Sequence, residues 1–117
     1  MIRRTLTLAA AILALAGCAT RPPTIYQWGS YEELVYTSHA APGNVPPEKQ
    51  IEILEADYEK ARAGDRRMPP GWHAHLGYLY VQLGKTDQGR QELLTEKTQF
   101  PESGVFVDRL LANLRRQ

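Results

Sequence analysis

Prolines and glycines cut this chain into pieces of helical length, and that punctuation constrains its fold more than any other feature. Pro42, Gly43 and Pro46–Pro47 make one break, Pro69–Pro70 with Gly71 a second, and Gly84 and Pro101 two more. Proline lacks the amide hydrogen that a helix interior or a central strand needs, and it biases the preceding residue away from the helical region. Each interval between breaks therefore holds one short element. The clearest begins at Pro47, a residue suited to the first position of a helix. Ile51, Leu54, Tyr58 and Ala61 follow at steps of three, four and three, which is one apolar stripe of a helix. Gly64 stands where a left-handed terminating residue is expected. Glu52, Glu55 and Glu59 fall toward the other side, with Lys60 and Arg62 nearby, and read as a solvated acidic face.

The same reasoning predicts further helices at 26–39, 72–83, 86–100 and from 103 onward. The first is rich in rings, with Tyr26, Trp28, Tyr31 and Tyr36 beside Leu34 and Val35. In the third, Leu76, Leu79, Tyr80 and Leu83 form the stripe and Gly84 ends it. Thr86 or Asp87 is the expected N-cap of the fourth, and Pro101 its stop. The last carries Phe106, Leu110, Leu111 and Leu114, and its basic end, Arg115–Arg116, complements the helix dipole. No stretch alternates apolar and polar residues between hairpin turns, so the expected class is all-α.

The N-terminus has a different character. Arg3 and Arg4 precede an apolar run over residues 6–16, and the small residues Ala16 and Gly17 precede Cys18. This order is that of a signal peptide, and the run is well short of the roughly 20 apolar residues that cross a bilayer as a helix. Cys18 is the sole cysteine of the 117 residues, so it forms no internal disulfide. Leu15-Ala16-Gly17-Cys18 resembles a lipobox, which implies that Cys18 is lipidated and becomes the mature N-terminus. Ala19 in place of Asp at the next position implies sorting to the outer membrane, on its periplasmic face. Several acyl chains anchor stably where one does not. The expected organisation is a signal peptide over 1–17, the lipidated Cys18 with a linker over 18–25, and a helical domain over 26–117. Pro22 and Pro23 stiffen the linker; six residues of polyproline II span under roughly 20 Å, which keeps the domain close to the lipid.

Charge excludes one class of partner. Lys and Arg total 14 against 13 Asp and Glu, and Arg3 and Arg4 leave with the signal peptide. The remaining basic residues are neither in excess nor clustered, and Arg66–Arg67 and Arg115–Arg116 are isolated pairs, so no nucleic-acid-binding face is expected. No phosphate loop is present, and His73 and His75, about 200° apart on a helix, cannot share a metal on one face. No cofactor, metal or small-molecule substrate is expected, and the chain reads as a non-enzyme. The rings near the anchor have two uses open to them. They close the core, which is the simpler account, or they face a partner or the lipid headgroups. In the second case Trp28 and Tyr31, three apart, share a helix face.

Residues 70–103 resemble one tetratricopeptide repeat, a 34-residue helix–turn–helix. Leu76-Gly77, Tyr80, Gly84 and Pro101 carry the likeness. Trp72 stands one place early against the repeat's tryptophan, where His73 lies; Gly89 replaces the usual alanine, Leu93 an aromatic and Glu96 a small residue. The resemblance implies an array of helical hairpins with four to five helices, the preceding helix pair serving as a degenerate first unit and the last helix as a cap. It also implies that Ala74, Tyr78 and Val81 line a groove, and adds Tyr78 to the candidate partner-binding residues. The lysine and asparagine with which such grooves capture a peptide carboxylate are absent there.

The chain also resembles a domain-of-unknown-function family of small bacterial lipoproteins. The likeness rests on Tyr26-x-Trp28-Gly29-x-Tyr31-Glu32, on Pro70-Gly71-x-x-Ala74-His75-Leu76-Gly77, and on Phe100-Pro101-Glu102-Ser103 with Asp108-Arg109-Leu110-Leu111. It implies companions among other envelope lipoproteins, including those related to the curli-export pore (CsgG-type). The expected function is a lipid-anchored helical adaptor that supports assembly of a lipoprotein complex. The alternatives are a stand-alone outer-membrane assembly or chaperone-like lipoprotein, and an envelope hydrolase, or a regulator of one, using His39 or His75. The lipobox makes the first step testable. Cys18→Ser should abolish palmitate labelling and leave uncleaved precursor to accumulate, and labelling that survives would place the acyl chains elsewhere.

Overall fold

The computed structural model describes residues 24–116. The signal peptide expected at 1–17, Cys18 and the linker up to residue 23 lie outside the described residues. The described part is all-α. Its helices are α1 (Tyr31–Ala40), α2 (Pro47–Ala63), α3 (Trp72–Gln82), α4 (Thr86–Gln99) and α5 (Gly104–Leu114), with a 3-10 turn, Pro101–Ser103, leading into the last.

The first helix begins at Tyr31 rather than near residue 26, because the preceding residues have a partner elsewhere. Tyr26 forms a parallel bridge with Arg67, and the Gln27 amide donates to the Arg67 carbonyl at 2.8 Å. The Tyr26 ring meets Phe100 edge-on at 6.2 Å, and the Arg67 guanidinium lies 5.7 Å over the same Phe100 ring. The segment is thus held extended against the α2–α3 loop and the end of α4.

Two further helix ends differ from expectation. Gly64 has φ −94° and still belongs to the last turn of α2; Asp65, at φ +50°, takes the left-handed position. The Arg66 amide donates to Ala61 and the Asp65 amide to Arg62, which is a Schellman closure displaced by one residue. Aspartate tolerates that region better than most residues. The residue before α4 is Lys85, so Thr86 is already helical and no side chain caps this end. Gly84, at φ +73°, does terminate α3.

α3 is the centre of the molecule. On one side Trp72, Leu76, Leu79 and Tyr80 pack with Leu34, Ile51, Leu54, Ala61 and Met68. On the other, Ala74 packs with Leu93 and Val107, and Leu110, Leu111 and Leu114 close that cluster. Val107 is α5's one fully buried side chain, whereas Phe106, placed in the apolar stripe by spacing, is 57% exposed. The α3–α4 crossing depends on two glycines. A Cβ on Gly77 would lie 2.9 Å from the Gly89 carbonyl oxygen, and one on Gly89 would lie 2.5 Å from the Val81 Cγ2.

The start of each earlier helix is held from the helix after it. Glu96 of α4, 2% exposed, accepts from the Gly71 amide at 2.7 Å and the Ala74 amide at 3.4 Å. Asp57 of α2, also buried, accepts from the Ser30 amide at 2.7 Å. A helix N-terminus leaves amides without intrahelical acceptors, and a carboxylate there also opposes the helix dipole.

Gly77→Leu should cost about 1–3 kcal/mol through overpacking at the α3–α4 crossing. Glu96→Ala should cost a similar amount, about 1–3 kcal/mol, by leaving buried amides unpaired. Thermal melts at the wild-type midpoint would exclude either contact from the stability of the fold.

Candidate functional site

The groove of interest follows from which residues α3 turns away from its two cores. Tyr78 lies on neither, and it is 54% exposed. Around it α1 supplies Tyr31 and Val35 and α5 supplies Phe106 and Leu110, and together with Ala74 they line a hollow of about 290 Å³. A second hollow of about 160 Å³ continues along α3, where Tyr78 and Val81 face Leu93, Leu110 and Leu114. The lining is almost wholly apolar, which suits side chains of another macromolecule better than a polar small molecule. The Tyr78 hydroxyl accepts from Gln82 at 2.9 Å on the same helix, so the ring stands free of the core.

The rings near the N-terminus join this groove at one end. Trp28 lies in the extended segment, so helical spacing is not what brings it to Tyr31. The two rings nevertheless stack, with centroids 6.5 Å apart and planes inclined at 23°. Trp28 also meets Tyr26 edge-on at 6.3 Å. Gly71, at φ +89°, lets the Tyr31 hydroxyl approach; a Cβ there would lie 2.5 Å from it. Burial pushes the Tyr31 phenol pKa above its ordinary value, and the nearby Glu96 pushes it further the same way. Tyr31 therefore works as a neutral, half-buried ring. Tyr36 stands apart and is 73% exposed.

His75 forms the groove's inner wall. Its Nε2 lies 3.3 Å from Gln50 Oε1, and its ring meets Tyr31 edge-on at 6.0 Å. Burial lowers its pKa, and His39 lowers it further, so His75 is neutral at physiological pH. His39 is exposed and bonds the Val35 carbonyl through Nδ1 at 2.9 Å. Neither histidine pairs with a carboxylate among the described residues.

The histidine that does so is His73, which spacing had raised only as a metal ligand and set aside. Its Nδ1 donates to Glu92 Oε2 at 2.6 Å, and its Nε2 lies 3.4 Å from the Gln99 amide nitrogen. It sits beside a wider groove of about 680 Å³ between α2, α3 and α4, whose walls include Glu52, Glu55, Glu59 and Glu92. All four of these acids have partners. Lys49 pairs with Glu52 at 2.8 Å, Arg62 with Glu59 at 3.4 Å, and the Tyr80 hydroxyl donates to Glu55. That bond, after burial, raises the Tyr80 pKa. Neither serine nor cysteine lines this groove, and the Thr95 hydroxyl is spent on the Gln91 carbonyl at 3.0 Å. Among the described residues no three His, Cys, Asp or Glu side chains come together as metal ligands.

Of the residues singled out by sequence, Tyr31 and Tyr78 line the groove, Trp28 stacks on Tyr31, and Cys18 lies outside the described residues. The missed members, Val35, Phe106 and Leu110, come from helices whose relative placement spacing cannot give. Among the described residues no helix is long and apolar enough to cross a membrane. Comparison with curated proteins and with solved structures finds no match. A family model described as "Domain of unknown function (DUF4810)" matches residues 25–110, from the start of the extended segment to α5, and the chain belongs to that family.

Proposed function

We propose that this protein is a lipid-anchored helical adaptor of the bacterial envelope, binding a protein partner along the groove between α1, α3 and α5. The observation that carries the proposal is the exposed apolar lining around Tyr78. Contiguous exposed apolar surface rimmed by polar residues marks interaction sites, and tyrosine and tryptophan are favoured anchors. The tetratricopeptide likeness agrees, since it assigns Ala74, Tyr78 and Val81 to a binding groove and α5 to the cap. Anchoring rests on the lipobox at Cys18, and the short linker would keep the groove within roughly 20 Å of the lipid surface. Other lipoproteins of the outer membrane's periplasmic face are held at the same height, those related to the curli-export pore among them, and supporting their assembly is the role that fits.

The stand-alone assembly or chaperone-like lipoprotein differs from this only in having no fixed partner. The hydrolase alternative rests on a different observation, the His73–Glu92 pair beside the wider groove. A His–carboxylate pair orients an imidazole for acid–base work, but both His73 nitrogens already have partners, and the Thr95 hydroxyl in the groove is bonded to the Gln91 carbonyl. The pair reads better as a tie between α3 and α4.

Tyr78→Ala separates these readings. Its ring is outside the core, so the melt should stay near wild type. Crosslinking to envelope partners in intact cells should fall about thirtyfold in affinity, as for loss of an interface anchor worth about 2 kcal/mol. Unchanged crosslinking in the folded variant would remove this groove from the function. Trp28→Ala should by contrast lower the melt, because that ring braces Tyr26 and Tyr31.

A further inference from the structure

The outer side of α5 carries a pattern that the core does not use and that meets the groove only at Phe106. Glu102, Val105, Phe106 and Arg109 are spaced at steps of three, one and three, so they form a single stripe running from the 3-10 turn along the helix. Val105 is 70% exposed and Phe106 57%. Both charged residues are exposed as well, and neither makes an ion pair among the described residues. Asp108, off this stripe, is taken up by Lys97 of α4 at 2.7 Å. The stripe therefore consists of two large apolar side chains with an acid three positions before them and a base three positions after.

Reversed against itself, that order sets acid opposite base and apolar side chain opposite apolar side chain, so the stripe is self-complementary. We propose that the stripe is an isologous contact with a second copy of this chain, the two α5 helices running antiparallel about a two-fold axis between Val105 and Phe106. Glu102 of each copy then meets Arg109 of the other, and the four apolar side chains meet at the axis. Two-fold contacts of this kind require a self-complementary surface, and they are the commonest way identical chains associate. An unrelated partner would need only one sign of charge and no such symmetry. The contact shares only Phe106 with the adaptor groove; Glu102, Val105 and Arg109 lie outside it, so the charge exchanges test pairing without touching the groove.

Charge exchange tests the symmetry directly. The full chain, purified in non-ionic detergent, should show concentration-dependent dimers in sedimentation equilibrium. Glu102→Arg places two arginines opposite two arginines, and Arg109→Glu places two glutamates opposite two glutamates. Each variant alone should self-associate about tenfold more weakly, since like charges replace opposite ones at two sites. Mixed together, the two variants should pair with one another at about wild-type affinity, because both contacts are then complementary. The doubly exchanged chain should also recover, and circular dichroism checks that every variant is folded. Phe106→Ala should weaken pairing in every background. A wild-type chain that stays monomeric overturns the proposal, as does a dimer indifferent to the exchanges or one whose variants fail to rescue each other.

Discussion

The buried carboxylate of Glu96 is the contact on which the rest of this structure depends. It sits 25 positions from Gly71 and takes the first amides of α3, the one helix that contributes to both hydrophobic clusters. A buried helix end without acceptors costs free energy for each unpaired group, and the residue at this start, Gly71, has no side chain to serve as a cap. The acceptor therefore has to come from another element. Because α4 supplies it, the angle and register of α3 against α4 are held by polar geometry at one end and by the Gly77–Gly89 approach in the middle.

Asp57 does for α1 what Glu96 does for α3. In each case a glycine with positive φ, Gly29 or Gly71, stands at the helix start, and an acid on the following helix accepts from a backbone amide there, that of Ser30 or of Gly71. Both helix pairs thus use the same device, although their connecting loops differ in length and proline content. The arrangement also explains why Tyr31 is only half-buried: its hydroxyl lies against Gly71, above the site where Glu96 is engaged. The rings near the N-terminus are neither a simple core nor a free surface. They brace the extended segment against Phe100 at one end and open into the apolar groove at the other.

Where the candidate site was legible, it was legible through single residues. The tetratricopeptide likeness alone assigned Tyr78 to a groove, and in the structure Leu76, Leu79 and Tyr80 take the inner side of α3 and leave Tyr78 exposed. Trp28 and Tyr31 could be paired, though helical spacing gave the wrong reason, since Trp28 precedes the helix and reaches Tyr31 from an extended segment. His73 was invisible as a partner of Glu92, since nothing in the spacing of two helices states which residues will face each other across a crossing. The histidines instead part as their rotation requires, His73 toward α4 and His75 toward α1 and α2.

What the sequence determined by itself is local: the number of helices, most of their ends and the all-α class. These follow from proline and glycine chemistry and from apolar periodicity, which act within a few residues of the chain. The tertiary structure alone decided matters in which residues far apart compete for the same group. Residues 25–28 became extended because Arg67 and Phe100 were available to hold them, and Phe106 turned outward because Val107 filled the space beneath α5. Glu96, which looked like a misfit in the second helix of a repeat, turned out to be buried by choice of partner. An amide left without an acceptor can be satisfied from any distance along the chain, and spacing carries no record of which residue will do it.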